Sequence, residues 1–479
     1  MKEDPTLVRK LAPFLIDSEE KLELEDGSYV AVVGGGPAGS YFTYFLLDMA
    51  DMMGLDIKVD VYEPRDFNKA GPGGCNHCGG IISESLVQLL ATEGINLPPD
   101  VVQRGIGSYV MHMDVGSVRI ETPKDEMRIG AVHRGAGPKG DTGDKWHSFD
   151  GYLQNLTIEK GANVINERVT EIEWRLDRPT VKTRKGAPKV YDLLVVATGV
   201  NSAAGRLFKD LDLEYETPRV TKTIIREFKL GEETIQTYLG NSMHVFLLDM
   251  PGLEFAAMIP KGDYVTICML GEDIGQDAFE TFLAAPEVQQ VMPSNWELEQ
   301  FACQCLPRMN VGAAVHPYGD RFVVIGDSGV TRLYKDGIGG AYRTAKAAAS
   351  TVIFHGIASQ DFEEHFMPAC DLLDKDNSIG RFIFGVTHII QRVRFARKAV
   401  LRMTEDEQNK QGETRRMSMI LWDMFTGSAP YRDIFMRTLN PLYLIKLGWT
   451  LAISIIPMDR KRPPNWVPVQ DTVPALENE

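Results

Sequence analysis

Four apolar residues, Val30, Ala31, Val32 and Val33, run without a break into Gly34-x-Gly36-x-x-Gly39. An unbroken apolar run suits a strand covered on both faces. Gly34 permits the tight turn, and Gly36 lets the backbone approach a pyrophosphate. Gly39 lets the next helix pack close to the sheet. Pro37 and Ala38 lie within this turn as cofactor-contact candidates, and the free N–H groups and dipole of the helix that follows favour an anion. The helix is expected over Tyr41 to Met53. A second strand, Ile57 to Tyr62, ends in Glu63, 24 residues past Gly39. That is where a carboxylate would accept from a ribose hydroxyl. A bare glycine motif is weak, but strand, glycines, helix, strand and acid in this order specify a dinucleotide site.

The 479 residues, 44% hydrophobic and 24% charged, are enough for two or three domains with a substantial core. A net charge of −15 argues against nucleic acid as a partner. The opening MKEDPTLVRK lacks the basic-then-apolar pattern of a signal peptide, so export is not expected. The six cysteines therefore read as thiols or chemistry, not as a disulfide frame. The expected location is the cytoplasm, with contact at the inner face of the membrane.

The pattern predicts an α/β chain. A dinucleotide-binding, doubly wound Rossmann-like domain spans 28–214 and 310–358. An antiparallel-sheet substrate domain spans 215–309, and a helical region spans 360–479. Within this plan 135–144 is a loop, Phe149 to Ile158 a helix and Ala162 to Trp174 a strand. Leu193 to Ala197 is a buried strand ending in Thr198-Gly199. From Arg219 to Gly271 short apolar runs alternate with turns, as in an antiparallel sheet. Phe322 to Ile325 is another buried strand, ending in Gly326-Asp327 and leading to a helix over Ala341 to Phe354.

Three strand ends thus carry Gly34 to Gly39, the stretch from Leu194 to Arg206, and FVVIGDSGVTRLYKDGIGG from Phe322 to Gly340. This order resembles the two-domain FAD family of aromatic hydroxylases, halogenases and geranylgeranyl reductases. The resemblance implies that Asp327 contacts the ribityl–phosphate part of FAD. It also implies that Gly337, Gly339 and Gly340 pass close to the isoalloxazine ring, and that Arg134 contacts the cofactor. No second strand–GxGxxG–helix unit is present, so electrons must arrive from a carrier bound without that fingerprint. A reduced nicotinamide and a ferredoxin-like protein are both open as donors.

Two segments point within the family. Cys75-Asn76-His77-Cys78-Gly79-Gly80-Ile81-Ile82 is similar to the Cys-Gly-Gly segment of geranylgeranyl reductases, which implies that Cys78 lies near flavin and substrate. Cys78 and His77 are the candidates for the proton step. Phe255 to Gly262 resembles the strand that lines the substrate cavity in those enzymes, implying substrate contacts from Phe255, Ala257, Ile259 and Pro260. Ala257 stands where the family has tryptophan, so the cavity should be wider. Halogenases carry two tryptophans here, and both are absent. Phe425-Thr426-Gly427 with Tyr431 also resembles archaeal reductases of the family. A CxxC such as Cys75/Cys78 can be a buried thiol pair, a redox couple or half a metal site. Cys303-x-Cys305 is an unusual partner for zinc, so no metal is expected.

Between Arg381 and Arg462 there are 15 Lys/Arg and 7 Asp/Glu, in a chain that is strongly acidic elsewhere. Leu442 to Pro457 carries one charge, Lys446, and is followed by Arg460-Lys461-Arg462. Sixteen helical residues reach about 24 Å, short of the roughly 30 Å hydrocarbon core. Peripheral docking on an anionic membrane is the expectation. The expected activity is FAD-dependent reduction of isoprenoid carbon–carbon double bonds in a lipid or quinone. Two rivals share the motifs: a flavin monooxygenase on an apolar substrate, and a flavoprotein passing electrons to a membrane quinone.

Overall fold

The strand Tyr29–Val33 is central in a six-stranded sheet. The order is Tyr318–Gly319, Phe322–Val324, Leu193–Val196, Tyr29–Val33, Lys58–Tyr62 and Asn163–Ile165. All neighbours are parallel except the edge pair at 318–324. Alternation explains the apolar runs. Val30, Val32, Val195 and Val323 face one core, and Ala31, Val33, Val196 and Val324 face another. The helices Pro37–Met53 and Gly337–Phe354 cover the first core, where Tyr41 meets Tyr342 edge-on at 5.8 Å. The antiparallel strands Val169–Arg175 and Arg178–Thr183 cover the second. This computed structural model describes residues 21–455, apart from 76–77, 124–128, 140–146, 202–206, 209–210, 212, 273, 295, 297–300 and 411–414.

A seven-stranded sheet forms the second body. Its order is Phe301–Cys305, Ile224–Lys229, Tyr264–Gly271, Leu253–Lys261, Ser242–Phe246, Ser108–Met113 and Gly116–Glu121. Every pair is antiparallel except 242–246 with 108–113. One face, with Ala256, Met258, Ile267 and Met269, is covered by the short helices Glu232–Tyr238, Gln276–Leu283 and Pro286–Gln289. The other face carries Ile225, Met243, Phe255, Ala257, Ile259 and Cys268.

Two sequence expectations need correction. The second sheet is not confined to 215–309, because 108–121 supplies two of its strands. Ser108–Met113 is buried at every position and pairs with residues more than a hundred away, so local alternation does not mark it. The single strand expected over 162–174 is two. Asn163–Ile165 joins the parallel sheet and Val169–Arg175 turns to the antiparallel one.

The helices Met367–Arg392, Arg394–Gln408, Arg416–Thr426, Tyr431–Thr438 and Pro441–Ile455 follow. They pack on the Ala257 face, with Trp422 stacked on Tyr109 at 5.1 Å and Phe255 against Phe425 at 5.3 Å. Among the described residues, no helix is long and apolar enough to cross a membrane.

Candidate active site

The three strand ends open into one cavity of about 290 Å³ between the two sheets and the C-terminal helices. Gly34, Gly36, Pro37, Ala38 and Glu63 line its nucleotide end. Gly34 has φ +111°, and a Cβ there would overlap the Ala197 carbonyl, so only glycine lets the first and second strand ends close together. Gly36 is extended and caps the helix with no side chain of its own, leaving first-turn N–H groups open to an anion. The Glu63 carboxylate accepts from the N–H groups of Gly35 and Arg65, each at 2.9 Å, and burial raises its pKa.

Arg134 and Asp327 line the middle of the cavity with Thr198, Gly199 and Gly337. Burial opposes the Arg134 charge, but the adjacent Asp150 carboxylate outweighs it and raises the net pKa. Burial raises the Asp327 carboxyl, against the pull of Thr331 and Arg134. A cleft with a glycine cradle and a buried acid at one end and a fixed cation at its middle fits FAD.

The far end is apolar. Phe255, Ala257 and Ile259 share one strand face and line it with Met243, Ile225, Leu270 and Phe425. Pro260 does not line it. It is one residue out of phase with Ile259 and lies on the face of Met258. Four glycines expected at the cofactor also stand behind the wall. Gly39 backs onto the Gly34 carbonyl and Gly326 onto the Ala38 methyl. Gly339 receives the Asp336 carboxylate as a helix cap, and Gly340 abuts Thr331. Their work is packing that shapes the cradle. Cys78 does line the cavity, and its Sγ accepts from the Gly80 N–H at 3.4 Å. His77 and the stretch 202–206 of the second motif lie outside the described residues.

The sequence reading missed Lys335 as a site residue. Its Nζ donates to the Asp423 carbonyl at 2.8 Å and sits 4.0 Å from the Tyr431 ring. Burial, with Arg332 nearby, lowers its pKa to about 7. The same region explains Phe425-Thr426-Gly427. Arg332 Nη1 donates to the Gly427 carbonyl at 2.9 Å and to Asp336 Oδ2 at 2.9 Å, while Tyr431 donates to the Leu333 carbonyl at 2.5 Å. These bonds lock the C-terminal helices onto the third motif and bring Phe425 and Thr426 into the cavity wall.

No protein-family model matches the chain. Over 259 residues it is 25% identical to a geranylgeranyl diphosphate reductase of Synechocystis sp., covering 50% of this chain and 54% of that protein. The chain therefore matches about half the length of this curated relative. Among solved structures, a flavoprotein/dehydrogenase from Cytophaga hutchinsonii superposes with a TM-score of 0.60 at 14% identity, over 89% of this chain and 99% of that one. Halogenase PltM, crystallised with phloroglucinol and FAD, gives 0.56 at 11% identity, over 90% and 92%. HpxO of Klebsiella pneumoniae, crystallised as a variant with FAD, gives 0.54 at 15%, over 84% and 99%. The structural likenesses establish the fold, that of FAD-binding flavoproteins, and over half its length the chain is similar to a geranylgeranyl diphosphate reductase.

Proposed function

We propose that the chain reduces carbon–carbon double bonds of an isoprenoid chain in a lipid or quinone. The observation that carries this reading is the apolar end of the cavity, built by Phe255, Ala257, Ile259 and Phe425 and continuous with the cofactor cradle. An alkene offers no hydrogen-bonding group, so such a wall positions it by shape and excludes water. The half-chain similarity to a geranylgeranyl diphosphate reductase points the same way. Bound FAD supplies hydride-transfer chemistry at its ring. The protein must deliver a proton to the other alkene carbon. Cys78 and Lys335 line the wall and are the candidate donors; Lys335 Nζ must leave the Asp423 carbonyl and the Tyr431 ring to reach the alkene. Burial lowers the Lys335 pKa to about 7, which suits a general acid at neutral pH.

The lipid is reached from a membrane surface. Helix Pro441–Ile455 turns Tyr443, Thr450 and Ser454 inward and leaves Leu442, Ile445, Trp449 and Ile455 exposed. Phe382 and Ile389 on helix Met367–Arg392 and Phe395 on helix Arg394–Gln408 add exposed apolar surface. Exposed Arg392 and Arg394 stand beside it, suiting an anionic bilayer. The expected basic cluster at 460–462 lies outside the described residues.

Anaerobic incubation of the reduced protein with a polyprenyl lipid tests the reading. Product masses should rise in steps of two hydrogens. Unchanged lipid, with oxygen uptake coupled to nicotinamide oxidation when air is admitted, would replace it with monooxygenation.

A further inference from the structure

Four of the six cysteines meet at one place. Cys75, Cys78, Cys303 and Cys305 line a second cavity of about 30 Å³, together with Arg134 and Lys261. The four cysteines therefore face one small space. Cys78 and Arg134 belong to the walls of both cavities, making the thiol site and the flavin site adjacent across one residue layer.

The pairing of strands explains how the sequence does this. Cys303 and Cys305 alternate with Gln304 and so share a face, the one that also carries Cys268 across Ile225. Two residues of strand separate them by about 6.8 Å, the upper limit of disulfide reach, so neither is a good partner for the other. The opposing thiols are Cys75 and Cys78, whose CxxC spacing in sequence closes a small disulfide ring readily. Burial raises the Cys303 thiol to about 11, and neighbouring acidic groups, Cys75 among them, add to it. Among the described residues, no set of side chains has the arrangement of a metal site.

We propose that Cys75 and Cys78 are a redox-active dithiol that exchanges two electrons with the flavin. The proposal rests on the flavin reading above. Two S–H bonds break and one S–S bond forms. The two electrons and two protons released reduce the bound FAD to its dihydro form. Cys303 or Cys305 can open the Cys75–Cys78 bond as a mixed disulfide, and an external dithiol, small or protein-borne, returns the thiols and is itself oxidised to a disulfide. Such a route supplies the electrons that the missing nicotinamide fingerprint leaves unaccounted for.

The test uses the purified, full-length holoprotein under anaerobic conditions, with dithiothreitol as the dithiol. Flavin absorbance should bleach with dithiothreitol in the wild type. The bleaching should be lost in Cys75→Ser and Cys78→Ser, while dithionite still bleaches both. In wild type oxidised by a disulfide, peptide mapping after alkylation should find Cys75 linked to Cys78, or either linked to Cys303 or Cys305. This mapping needs no variant to fold. Four fully alkylated thiols after oxidation, equal bleaching in the serine variants, or a stoichiometric metal would each overturn the proposal. A protein that holds no FAD would overturn the flavin reading and this proposal with it. One that holds FAD, bleaches with dithionite and ignores dithiothreitol would overturn this proposal alone.

Discussion

Arg134 and Asp150 form a two-point ion pair, Nε to Oδ1 at 2.5 Å and Nη2 to Oδ2 at 2.9 Å. Asp150 is wholly buried and Arg134 almost so. Asp150 sits in the first turn of helix Phe149–Glu159, and the Ser148 hydroxyl caps that helix while donating to the Arg134 carbonyl. The cation in the cavity wall is therefore fixed by the first turn of the helix Phe149–Glu159.

Asp150→Ala should leave a buried guanidinium without its partner. The expected loss is about 3–5 kcal/mol of stability, with loss of bound FAD. Urea denaturation read by circular dichroism checks it. Replacing both residues by well-packed apolar ones should recover most of the stability and none of the FAD.

Gly36→Val should place a branched side chain at the cradle, where the helix cap has none. The protein should fold and lose its yellow colour. Full FAD occupancy in this variant would show that the pyrophosphate lies elsewhere.

Lys335 gives a pH signature. Its pKa is lowered to about 7, so the ammonium is present below pH 7 and is lost as pH rises through it. Turnover that needs a proton from this group should be highest below pH 7 and fall about tenfold per unit above it. Lys335→Met should abolish that limb and reduce turnover by roughly 10²–10⁴-fold, while FAD content stays unchanged. A pH profile of single-turnover rates decides it.

Ala257→Trp should fill the apolar end of the cavity, since Ala257 is buried there between Phe255 and Ile259. Preference should shift towards shorter polyprenyl chains. Identical kinetics across chain lengths would remove this strand from the substrate site.

The outward face of the last helix gives a binding test. Replacing Leu442, Ile445 and Trp449 with polar residues should release the protein from anionic liposomes in flotation, with FAD retained. The three are 78%, 69% and 69% exposed, so the fold should lose little. If wild type floats with no liposome, the face is a protein contact.

Much of this was written locally in the chain. Val30 to Gly39 carries its own strand, turn and helix start, because both faces of that strand are buried and the glycines are required by backbone geometry. Glu63 and Asp327 follow at strand ends, where spacing alone places them at the cavity. The alternation of Phe255, Ala257 and Ile259 likewise set which side chains would share a face, and the same period excludes Pro260. What tertiary structure decided is what depends on distant partners. Lys335 becomes a site residue only because helices from beyond residue 415 bury it. Gly39, Gly326, Gly339 and Gly340 pack behind the cradle because helix and loop close on them. Cys75 and Cys303 are 228 positions apart in sequence, and no local pattern joins them. Local sequence fixes backbone conformation and alternation, whereas burial, and the pKa shifts and thiol contacts it creates, come from segments that meet only after the chain has folded.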